Sequence, residues 1–74
     1  MSTRGVVRFW NDEDGWGVID SPATPGGCWT HFSCVSVDGY RTLPPGSAVD
    51  FEWETVKQDG YAYRTVEART STAD

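Results

Sequence analysis

Residues 48–54 read Ala-Val-Asp-Phe-Glu-Trp-Glu. Apolar and acidic side chains alternate there without a break: Val49, Phe51 and Trp53 against Asp50, Glu52 and Glu54. A period of two sets the first group on one face of a strand and the second on the other. A helix, at about 3.6 residues per turn, would scatter both groups around its axis. The segment therefore predicts a strand with one buried and one wet face. The rest of the chain follows the same pattern. Residues 5–11, Gly-Val-Val-Arg-Phe-Trp-Asn, are rich in β-formers. Asn11-Asp12-Glu13-Asp14-Gly15 ends in an Asp-Gly pair, a hairpin signal. Strands are expected over 16–20, 28–32 and 61–69, with a loop over 21–27 that holds two prolines and a Gly-Gly pair. Residues 33–37 predict a 3₁₀ turn or irregular chain, residues 38–46 a longer loop, residues 57–60 a turn, and residues 70–74 a fraying tail. No amphipathic helix pattern occurs. Five short strands at close spacing imply an all-β fold, a small antiparallel barrel, and closure removes the exposed edges that so small a sheet would otherwise present.

Composition narrows the function. The chain has 74 residues, which predicts one domain over 1–74 with a core of about residues 4–69. No apolar run approaches the roughly 18 residues of a membrane span. The N-terminal Met1-Ser2-Thr3-Arg4 carries no hydrophobic signal segment, so a cytoplasmic location and no membrane partner are expected. Two cysteines, Cys28 and Cys34, and a single histidine match no zinc spacing. Structural, reduced thiols are expected, with no metal and no cofactor. Neither a nucleophile–base set nor a glycine-rich phosphate loop is evident, so the sequence predicts no enzyme and no small-molecule substrate. A monomer is the simplest expectation.

The aromatic residues carry the functional argument. In strands, residues two apart share a face, so Trp16 is expected beside Val18, and Trp29 beside His31. Gly17, Ile19, Cys28 and Thr30 then fall on the opposite faces, where small and aliphatic groups suit a narrow barrel interior. A flat aromatic surface open to solvent suits the bases of a single-stranded nucleic acid. Strict alternation in the first strand sends Arg8 and Trp10 outward and Val7 and Phe9 inward, although a bulge would turn Phe9 out as well. Trp53 follows the inward phase of Val49 and Phe51. Tyr61 and Tyr63 share a face of the last strand, where they either pack on the barrel wall or extend the stacking surface. Eleven acidic residues against six basic give a net charge of −5. Binding must then rest on stacking more than on phosphate contacts, and the run Asp12-Glu13-Asp14 reads as a solvated turn.

Four blocks, in order, resemble the bacterial cold-shock proteins: Gly5-Val6-Val7-Arg8-Phe9-Trp10-Asn11, Gly15-Trp16-Gly17-Val18-Ile19, Trp29-Thr30-His31-Phe32-Ser33 and Gly39-Tyr40-Arg41-Thr42-Leu43. The similarity runs from about residue 5 to residue 67. It implies a five-stranded antiparallel OB-fold barrel that binds single-stranded RNA or DNA and acts as an RNA chaperone or a regulator of transcription or translation. Trp16 and Val18 stand where the family has two Phe in its first ribonucleoprotein motif. Trp29, His31 and Phe32 stand where the second motif has Phe, His and Phe. Phe9 and Trp10 take the place of a Trp-Phe pair in swapped order, Arg8 replaces a Lys, and Tyr40 replaces a loop Phe. The departures are equally specific. Asp14 stands where the first motif is preceded by Lys, Asp59 where a basic residue is common, and Gly27 where an Asp opens the second motif. The Gly-Pro-Gln-Ala run of strand five is replaced by Gly60-Tyr61-Ala62-Tyr63. The candidate nucleic-acid contacts are Arg8, Phe9, Trp10, Asn11, Trp16, Val18, Trp29, His31, Phe32, Tyr40, Arg41, Tyr61 and Tyr63. The competing reading is an acidic protein-interaction module that docks a basic partner through the same aromatic face.

Overall fold

A computed structural model describes residues 3–35, 43–57 and 60–70 of the chain. Five strands, β1 (Thr3–Asn11), β2 (Trp16–Ser21), β3 (Thr24–His31), β4 (Ala48–Glu54) and β5 (Tyr63–Thr70), close into a barrel in the order β1-β2-β3-β5-β4. Four of the pairings are antiparallel, and β3 meets β5 in parallel through only two register pairs, Cys28 with Tyr63 and Trp29 with Arg64. A single 3₁₀ turn, η1 (Phe32–Cys34), follows β3, and a parallel bridge from Val35 to Ala68 then rejoins the chain to β5. The fold is all-β, and its closed five-stranded barrel is of the OB type. No helix among the described residues is long and apolar enough to cross a membrane.

The interior follows the period-two pattern. Val7, Ile19, Cys28, Val35, Leu43, Val49, Phe51 and Ala68 form the buried cluster, with Trp10, Trp53 and Tyr63 packed against it. Trp53 points inward as its alternation requires, and its indole N–H donates to Thr3 Oγ1 at 3.3 Å. Two threonines sit in this interior without cost because they satisfy each other: Thr30 Oγ1 and Thr65 Oγ1 are 2.7 Å apart. The Cys28 thiol joins them, 3.1 Å from Thr65 Oγ1. Burial pushes this thiol's pKa up, partly offset by the Thr65 hydrogen bond. Both cysteines are free.

Two departures from the expected elements bear on the site. The stretch 21–27 is not a loop: β3 begins at Thr24, and a turn at Pro22–Ala23 is all that separates it from β2. Gly26 and Gly27, both at positive φ, absorb the register shift between Ile19 and Ser21 inside the ladder. The second departure is in β1. Val7 faces Ile19 but Phe9 faces Val18, so Arg8 is an extra residue in a β-bulge. The bulge breaks strict alternation, and everything after it in β1 changes phase.

Candidate nucleic-acid interface

The bulge decides which first-strand aromatic reaches the outer face. Phe9, expected inward, lies edge-on to Trp16 with ring centroids 5.3 Å apart. Trp10, expected outward, packs against the core instead. It does so over Gly17, its register partner, where an added Cβ would come within 2.4 Å of Trp10 Cε3 and 2.5 Å of the Phe9 carbonyl oxygen. Gly17 is thus the gap into which the indole fits. The ranking of Trp10 above Phe9 as an exposed ring is therefore reversed.

From Phe9 the rings form one continuous chain across three strands. Trp16 and Trp29 are near-parallel at 22° with centroids 6.1 Å apart. Trp29 and His31 are likewise near-parallel, at 5.8 Å. His31 meets Phe32 at 4.6 Å, and Tyr61 meets Trp16 edge-on at 6.4 Å. Phe32 is exposed, and the others are half-buried, so part of each side chain remains open to solvent. The chain arises because β1, β2 and β3 are neighbours and their outward positions line up: Trp16 pairs with His31, and Val18 with both Phe9 and Trp29.

The remaining candidates divide. Val18 does not present itself to a ligand: it is fully buried on the outer side of β2. Both residues of the bulge stand opposite it, and the backbone at Gly27 closes over it, so near that a Cβ there would lie 2.7 Å from Val18 Cγ1. Tyr63 does not extend the platform either. It packs edge-on against Trp53 at 5.3 Å, on the core side of β5, whereas Tyr61 lies before the strand begins and joins the aromatic chain. Asn11 is committed to its turn, where its amide nitrogen donates to Asp14 Oδ2 and its Oδ1 accepts the Asp14 N–H, both at 3.0 Å. Tyr40 and Arg41 lie outside the described residues.

The polar surroundings are unusual for a surface that meets phosphates. Arg8 Nε donates to both oxygens of Asp20 at 3.0 Å, and Nη2 donates to Oδ1 at 2.5 Å and to the Gly26 carbonyl at 3.3 Å. The Asp20 hydrogen bonds hold the guanidinium pKa above its ordinary value. Arg4 pairs with Asp50, Arg64 with Glu54, and Arg69 with Glu67. All four arginines among the described residues are thus matched to carboxylates. His31 is oriented by η1, which it caps: the Ser33 N–H donates to Nδ1 at 3.2 Å, and Ser33 Oγ lies 2.8 Å from the same atom. With Nδ1 as acceptor, the proton of the neutral ring belongs on Nε2, which is then a donor. Sequence reasoning did not single out Asp20, Ser33, Glu54 or Arg64. Outward phase was legible for Glu54, but its pairing with a residue ten positions on the far side of a turn was not.

Comparison with known proteins agrees with this geometry. Residues 3–68 match the family model of the 'Cold-shock' DNA-binding domain. The chain is 37% identical over 54 residues to the major cold shock protein CspA of Bacillus cereus, covering 73% of this chain and 79% of that protein. It is 38% identical over 53 residues to the cold shock-like protein CspG of Shewanella violacea, covering 72% and 76%. Identity with the cold shock protein CspA of Staphylococcus aureus is 39% over 49 residues, covering 66% and 73%. A closed five-stranded barrel, an outward chain of aromatic rings and a match over nearly the whole described chain lead to one conclusion: this protein belongs to the cold-shock domain family of nucleic-acid-binding proteins.

Proposed function

We propose that the protein binds single-stranded RNA or DNA by stacking bases on the rings of Phe9, Trp16, Trp29, His31, Phe32 and Tyr61, and that it works as an RNA chaperone or regulator of gene expression. The observation that carries this reading is the unbroken chain of ring contacts from Phe9 to Phe32 on one outer wall. Each base stacked on such a ring contributes about 1–3 kcal/mol. A few stacked bases therefore suffice for binding without a basic footprint. The His31 Nε2 proton adds a donor for a base edge or phosphate at the end of the row. With its described arginines matched to acids and a net charge of −5, the protein releases few counterions on binding, and affinity falls only gently with salt.

Titration with short single-stranded oligonucleotides, followed by tryptophan fluorescence, tests the proposal. Saturable quenching with a shallow salt dependence is expected. A flat trace refutes it and favours an acidic module that docks a basic protein, a reading that the matched arginines and the acidic turn at Asp12–Asp14 also suit. A steep salt slope refutes the stacking mechanism while leaving nucleic-acid binding intact.

A further inference from the structure

Beside Trp29 the barrel wall opens. The parallel ladder between β3 and β5 ends after Trp29 and Arg64, and the chain returns to β5 only at the Val35–Ala68 bridge. Between these points lies an open groove of about 400 Å³ whose lining includes Trp29 and His31 of β3, Ser33 and Cys34 of η1, Glu54 of β4 and Arg64 of β5. The aromatic platform therefore continues directly into a groove with a charged wall.

That wall is a fixed pair. Arg64 Nε donates to Glu54 Oε2 at 3.0 Å, and Arg64 Nη2 donates to the same oxygen. Both bonds fall on one carboxylate oxygen, so Glu54 Oε1 and Arg64 Nη1 lie outside the pair. The two side chains hold each other in place, each about two-fifths exposed. The groove is thus offered a carboxylate acceptor and a guanidinium donor side by side, next to the rings proposed above to stack a base.

We infer that this groove is a base-selective subsite that takes guanine. The inference rests on the stacking function proposed above and adds its specificity. Guanine alone among the four common bases offers two adjacent N–H donors, N1–H and the N2 amine, that can converge on the single carboxylate oxygen, Glu54 Oε1, left outside the pair. It also offers O6 and N7 to an arginine, the commonest specific arginine–base contact. Charge-assisted hydrogen bonds of this kind are the strong ones. Thymine and uracil present a single N–H, and adenine and cytosine present an amine beside a ring acceptor that a carboxylate repels. Glu54 and Arg64 would therefore read guanine while Trp29 and His31 stack it.

The test is the ratio of affinities for two probes: short oligothymidylate, and the same strand with one thymine replaced by guanine, the replacement being moved through every position. At the position that reaches the groove, guanine is expected to tighten binding about tenfold. Glu54→Gln and Arg64→Gln should each bring the ratio close to one. Inosine, which lacks the N2 amine, should fall between guanine and thymine. Glu67→Gln, which alters an ion pair elsewhere on β5, should leave the ratio at its wild-type value. Circular dichroism and thermal melting establish that each variant is folded. A wild-type ratio near one at every position overturns the inference but leaves stacking intact, since oligothymidylate still quenches. A ratio that survives Glu54→Gln, or inosine equal to guanine, also overturns it. Absence of quenching by any strand overturns both the inference and the function on which it rests.

Discussion

On the stacking mode proposed above, replacing Asp20 by Asn should make binding partly electrostatic. In the native chain Asp20 accepts three hydrogen bonds from Arg8, at 3.0, 3.0 and 2.5 Å. The substitution keeps the shape of the side chain and removes its charge, so the guanidinium is released at the margin of the platform, next to Phe9. The loss to the fold is small. Both side chains are well exposed, at 41% and 48%, and exposed pairs contribute only about 0.2–1 kcal/mol. The gain in binding is measurable. One new phosphate contact steepens the slope of log affinity against log salt by about 0.7 on a single strand. Between about 50 and 200 mM salt that is a further loss of about 2.6-fold relative to wild type. At low salt one added hydrogen bond of about 1 kcal/mol raises affinity about fivefold. Fluorescence titration of oligothymidylate at several salt concentrations reads both effects. The double variant Asp20→Asn with Arg8→Gln should return the slope to its wild-type value. If Asp20→Asn stays folded and its slope is unchanged, Asp20 does not restrain Arg8, and the account of the weak electrostatics is wrong.

Three further outcomes follow from the packing. Gly17→Ala should destabilise the barrel by about 1–3 kcal/mol in urea unfolding, because the new methyl collides with Trp10 and the β1 backbone; an unchanged midpoint would show that β1 can move away freely. Trp16→Ala should weaken oligonucleotide binding by about 1–3 kcal/mol with little loss of stability, whereas Trp10→Ala, which removes a ring packed on the core, should lower stability and spare the stacking surface. The reverse pattern would restore Trp10 to the outer face. The Cys28 thiol has a raised pKa in the fold because it is buried, so its contribution to stability is intact below the ordinary thiol value and declines as pH rises through that value toward the folded one. Thermal melting across the alkaline range should show this decline in the wild type and lose it in Cys28→Ala; equal profiles would remove the thiol as its source.

All five strands were legible in outline, β4 from its strict period-two alternation and the others from β-forming residues between turn signals, although the start of β3 at Thr24 was hidden in a stretch that read as a loop. The barrel's parallel seam between β3 and β5 was not, since the contact joins residues far apart in the chain. The outward rings of Trp16, Trp29 and His31 follow from alternation alone. Phe9 and Trp10 did not, because a bulge is a property of two strands in register and leaves only a weak trace in one of them. Val18 shows a different limit. Its phase is outward as alternation predicts, yet neighbours cover it, and phase says nothing about cover. Tyr61 and Tyr63 share a parity, but β5 begins between them, so only Tyr63 obeys the strand's geometry. The ion pairs of Arg8 and Arg64 depend on cross-strand distances that no local pattern encodes.

Pairing the described arginines with carboxylates also sets how such a protein meets its ligand in time. A strongly basic binder is drawn to any phosphate backbone, is guided in by long-range attraction and slides along what it finds. A barrel whose described arginines are paired with carboxylates and whose net charge is −5 lacks that reach. Its encounters are those of unguided diffusion, about 10⁵–10⁷ M⁻¹s⁻¹, and duplexes with their bases stacked inside give it little to hold. On the stacking mode proposed above, such a protein stays free amid a large excess of double-stranded backbone and captures a strand only where bases are already open.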